Sequence, residues 1–83
     1  MKKVYVVSQG MTTKSGTGDF NEVLKTNNKK EALTKFNQIK HDKRGWANTQ
    51  HMYLETILDV YDSEDDYLDG FSHDPLEYER IPF

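Results

Sequence analysis

His51-Met-Tyr-Leu-Glu-Thr-Ile-Leu-Asp-Val-Tyr61 alternates two sets of side chains along an extended chain. Successive side chains of a strand point to opposite sides, so Met52, Leu54, Thr56, Leu58 and Val60 share one face. Tyr53, Glu55, Ile57, Asp59 and Tyr61 share the other. The first set is largely apolar and requires a cover. A helix able to supply it stands just upstream. Asn28 precedes Glu31 by three residues, a variant of the capping box in which each side chain satisfies a free backbone donor. Ala32, Leu33, Phe36 and Ile39 then recur at helical spacing as one narrow apolar stripe. Lys40, Lys43 and Arg44 are expected in the last helical turn, where positive charge suits the helix dipole, with Gly45 as a left-handed terminator.

Working outward, residues 3–8 are β-branched and aromatic and read as a first, central strand. Residues 10–19, rich in Gly, Thr and Ser, read as a mobile hairpin loop, and 20–25 as a weaker second strand. After the 51–61 strand comes an acidic turn over 62–66, then a short structured excursion through Tyr67, Leu68 and Phe71. Residues 76–81 form the last strand, with Pro75 and Pro82 as its stops. The expected fold is α+β: one domain over residues 1–83, ordered β-β-α-β-β, a mostly antiparallel sheet with one helix on one face.

At 83 residues, the chain is near the lower limit for folding on a single core. Its mean hydropathy of −0.89 is low, but five Tyr, four Phe and one Trp supply aromatic mass that disordered chains lack. No apolar run approaches the roughly 18–20 residues of a membrane span, and the start resembles no signal peptide, so the cytosol is the expected compartment. Without cysteine, disulfides, thiol catalysis and Cys-ligated zinc are excluded.

Catalytic and metal motifs fail on inspection. An EF-hand loop beginning at Asp62 would need Gly where Tyr67 stands and Glu where His73 stands. His41, His51 and His73 lack a ligand spacing. Gly16-Thr-Gly18 leads toward a strand, whereas a phosphate loop leads into a helix. No nucleophile elbow is present. No enzymatic activity, cofactor or metal is expected.

Charge is the informative feature. Residues 1–51 carry ten basic and four acidic groups, net +6, while residues 52–83 carry ten acidic groups against Arg80 alone, net −9. The acidic half supplies a candidate partner-binding surface of Glu55, Asp59, Asp62, Glu64, Asp65, Asp66, Asp69, Asp74, Glu77 and Glu79. Tyr53, Tyr61, Tyr67, Phe71 and Tyr78 are candidate aromatic anchors within it. Same-face carboxylates two residues apart on a strand are spaced by about 6.5–7 Å, near the separation of successive phosphates on a nucleic-acid strand. The plain alternative is a solvated face that keeps a small domain dispersed. The basic half offers a nucleic-acid interface through Lys35, Lys40, Lys43, Arg44 and the stacking ring of Trp46.

In size, Lys/Asn/Asp/Tyr-rich composition, lack of cysteine and of catalytic motifs, and a compact 28–45 helix between strands, the chain resembles small accessory proteins of bacteriophages and mobile elements of low-GC Gram-positive bacteria. That class includes anti-CRISPR and DNA-mimic inhibitors. The resemblance implies a non-enzymatic inhibitor whose acidic half blocks a basic, nucleic-acid-handling host protein in the bacterial cytoplasm. Two other expectations stand beside it: a small nucleic-acid-binding domain working through residues 29–44, and a structural module that dimerises.

Overall fold

A computed structural model describes residues 2–46 and 51–83. The elements are β1 (Val4–Thr13), β2 (Gly18–Thr26), α1 (Lys29–Ile39), β3 (Met52–Tyr61), α2 (Glu64–Asp69) and β4 (Glu77–Pro82). The strands form one antiparallel sheet in the order β2-β1-β3-β4. The α+β class holds, with an added helix: the excursion after β3 closes into α2. Among the described residues no helix is long and apolar enough to cross a membrane.

The alternation in β3 sets the layers. Leu58 is opposite Val7 of β1, and both pack with Ala32 and Phe36 of α1 in the core, flanked by Tyr5, Leu24, Leu33 and Ile39. Since β2 and β3 both pair with β1, α1 must cross the sheet to connect them, which lays its apolar stripe over Val7 and Leu58. Gln9 reaches across this layer and donates to the carbonyl of Ile39 (2.9 Å) and the hydroxyl of Thr56 (3.0 Å).

The start of α1 follows half of the expected capping box: the Asn28 side chain accepts from the Glu31 N–H, but the Asn28 N–H donates to the Thr26 hydroxyl (3.0 Å) and not to the Glu31 carboxylate. Its end is earlier than expected. The helix stops at Ile39, and Lys40, Lys43, Arg44 and Gly45 lie in the turn beyond it, so no basic residue occupies the last helical turn. Gly45 does have a positive φ of 84°, but inside that turn.

The expected mobile loop over 10–19 is mostly strand. Only residues 14–17 turn, closed by the Thr13 N–H to the Thr17 carbonyl and the Gly16 N–H to the Thr13 carbonyl, both 2.9 Å. Gly10 serves close approach of two strands: a Cβ there would lie 2.1 Å from the Asp19 carbonyl oxygen. Glycine was thus a loop signal in composition and a packing requirement in space. A β-bulge falls between Val7 and Ser8 of β1, opposite which Val23 of β2 has no partner.

Candidate interaction face

The sheet face opposite α1 is built from alternate residues of all four strands, and α2 covers one end of it. The Ser63 side chain accepts from the Asp66 N–H to start this helix, and Gly70, at φ 78°, ends it in the left-handed region. Tyr67 points back to the sheet. Its hydroxyl donates to Glu22 at 2.7 Å, its ring meets Tyr61 edge-on at 5.4 Å, and Lys25 Nζ lies 4.3 Å from its centre. Lys25 also pairs with Glu64. The bond to Glu22, with burial and charge behind it, raises the Tyr67 phenol above its ordinary pKa.

At the other end Glu55 is only 6 % exposed. It accepts from the Thr12 hydroxyl and from the Tyr78 hydroxyl, with Arg80 Nε at 3.8 Å. The Arg80 guanidinium lies 4.0 Å from the Tyr53 ring centre and donates to the carbonyls of Thr13 (2.8 Å) and Lys14 (3.2 Å). This cluster ties β4 to β3, β1 and the hairpin turn. Burial, then the bond to Glu55, pushes the Tyr78 phenol up, so it stays protonated and donating at neutral pH.

Between the two ends lies Asp59, half-buried on β3 and two residues from Ile57, which is paired with Tyr78 of β4. Among the described residues its carboxylate takes no hydrogen bond and no ion pair. Burial raises its pKa. Beside it on β4 and the chain leading into β4, Leu76 (37 %) and Tyr78 (51 %) are open to solvent, as is Phe71 (69 %) after α2.

The expected acidic surface is therefore assembled only in part. Asp59, Asp65, Asp66, Asp69 and Asp74 have no cationic partner among the described residues. Asp62 is held by His73 (2.9 Å) and Lys3 (3.9 Å), and Glu64 by Lys25. Glu55 is consumed by the internal cluster. Glu77 and Glu79 pair in register with Leu58 and Thr56, which places them on the α1 side, where Glu79 meets His41 at 3.2 Å. No row of phosphate-spaced carboxylates runs along β3, because Glu55 points into packed side chains. Of the aromatic anchors, Tyr53 is covered by Arg80, Tyr61 and Tyr67 pack on each other, and Tyr78 and Phe71 remain exposed.

The basic candidates are also dispersed. Arg44 forms a two-pronged pair with Asp42 (2.9 and 2.7 Å), which lowers the Asp42 carboxyl to about 2. Lys40 lies over Phe36 and Lys43 over Phe83, while Trp46 is half-buried. Lys35 is on α1 beside β2. Sequence reading missed Thr12 and Arg80 as partners of Glu55. Period-two alternation assigns a face, but does not distinguish a carboxylate roofed by Tyr78 and Arg80 from an open one. No known protein family, curated protein or solved structure matches the chain.

Proposed function

We propose that this protein is a non-enzymatic binding module whose α2-bearing face engages a basic surface on another protein, of the kind that handles nucleic acid, and occludes it. The observation that carries this reading is Asp59, a half-buried carboxylate without a partner beside exposed Tyr78 and Leu76. A desolvated anion without a counter-charge costs free energy, and a partner's guanidinium or ammonium group placed there would recover it. Asp69 supports the same reading. Glu64, Asp65 and Asp66 fill the first turn of α2, where negative charge favours the helix, but Asp69 is at its last position, where the dipole opposes it. Among the described residues, neither Asp59 nor Asp69 serves the fold through an ion pair. Exposed Phe71 and Tyr78 add the aromatic contact on which interfaces depend.

The direct nucleic-acid reading has less support, since Arg44 is held by Asp42 while Lys40 and Lys43 lie over the Phe36 and Phe83 rings. The test is a pull-down from a low-GC Gram-positive bacterial lysate with two baits, wild type and Asp65→Lys/Asp66→Lys/Asp69→Lys. A basic protein released by moderate salt from the first bait, and absent from the second at unchanged circular dichroism, is expected. Equal capture by both baits contradicts the assignment, and recovery of nucleic acid on both moves it to the basic half.

A further inference from the structure

On the opposite side of the sheet, a groove of about 490 Å³ runs between α1 and the edge strand β2. Val23 and Leu24 line it from the strand, and Lys30, Thr34, Lys35 and Gln38 from the helix. From these features we infer that the groove receives an extended acidic peptide segment of a partner protein, which adds as a fifth strand along β2. The inference does not depend on the acidic face, which is on the other side of the sheet.

Three observations support strand addition here. First, β2 is an edge of nine residues without proline, exposed along most of its length, so its outward N–H and C=O groups are open to another chain. The other edge, β4, has six residues, contains Pro82 and carries Glu77 and Glu79, which repel an acidic strand. Second, the bulge at Val23 turns two consecutive apolar side chains toward α1, because the unpaired residue upsets the alternation. Val23 is thereby 40 % exposed at the groove. Third, Lys30 and Lys35 are on the helical wall with no ion pair among the described residues, against the single carboxylate of Glu31. A strand laid beside β2 sends every second side chain toward these lysines, so carboxylates at those positions meet both charges. A nucleic-acid strand would satisfy the lysines but not the peptide groups of β2.

The probe is a fluorescein-labelled ten-residue peptide of alternating Glu and Val, with the alternating Lys and Val peptide as control. Anisotropy is expected to show saturable binding of the Glu peptide alone, weakened about tenfold by Lys30→Glu/Lys35→Glu. Amide NMR shifts are expected along 18–26 and α1, and Val23→Asp, which puts a carboxylate at the apolar lip of the groove, is expected to abolish binding while circular dichroism stays unchanged. Failure of the Glu peptide to bind at millimolar concentration overturns the inference, as do equal binding of the control and shifts confined to β4. So does an oligonucleotide that displaces the peptide and shifts the lysines without β2. Sedimentation as a dimer through β2, unaltered by the peptide, would assign the groove to a second copy instead.

Discussion

Asp59 shows how one residue can weigh against the fold that holds it. Its pKa is raised because half-burial disfavours the anion, and among the described residues no cation pairs with it. The folded state thus binds the Asp59 proton more tightly than the unfolded chain does. Its stability falls as pH rises from the unfolded value near 3.9 through the raised folded value, and the full deficit persists above it. Asp59→Asn should stabilise the protein at pH 7 by about 0.5 kcal/mol, a figure kept small by solvent screening, and the gain should vanish at acid pH; urea unfolding at pH 7 and pH 3.5 checks both. Glu55 is the converse case, a buried carboxylate that accepts from two hydroxyls with a guanidinium nearby. Tyr78→Phe removes one donor from it and should cost about 1–2 kcal/mol in the same assay, although Tyr78 is half-exposed and a surface tyrosine would ordinarily be neutral to change. Of these two residues, the sequence showed the shared face correctly but not the difference in environment. That difference is set by Thr12 and Arg80, which are 43 and 25 positions away from Glu55 in the chain.

At the scale of elements, legibility followed locality. The cap of α1 was readable because Asn28 and the Glu31 N–H are three residues apart, and β3 because alternation is a property of the strand itself. The hairpin is less legible: Gly10 and Gly18 look like loop residues until β1 and β2 are brought together and leave no room for a Cβ. The end of α1 is illegible for the opposite reason: Gly45 does adopt a left-handed conformation, but six residues beyond the last residue of the helix. Helix α2 was legible only as an excursion. Six residues with four acidic groups make a poor helix alone, and its existence depends on Ser63, Gly70 and the docking of Tyr67 on Tyr61 and Glu22. Ser63→Ala should therefore release α2 while leaving the sheet intact, a loss of about 1 kcal/mol seen as faster amide exchange over 63–70 and unchanged protection in β1 and β3. Loss of protection throughout would mean that α2 is integral to the sheet.

At the scale of the molecule, a sheet with one helix on each face separates two chemistries. The +6 and −9 halves of the chain do not simply neutralise each other. Lys3 and Lys25 reach over to Asp62 and Glu64, while Lys30 and Lys35 remain with α1, and Asp59, Asp65 and Asp69 remain on the α2 side. The charge count separates the two halves of the chain, but it is the β3–β4 register, with Glu77 opposite Leu58 and Glu79 opposite Thr56, that moves these carboxylates away from the acidic side. The central claim is that the α2-bearing face is the one that meets a basic partner. The most direct measurement is hydrogen–deuterium exchange of the protein in complex with the protein it captures, compared with the free chain. The account predicts new protection over residues 59–71 and 76–78, sensitive to salt, with α1 unchanged; protection confined to residues 29–46 would contradict it.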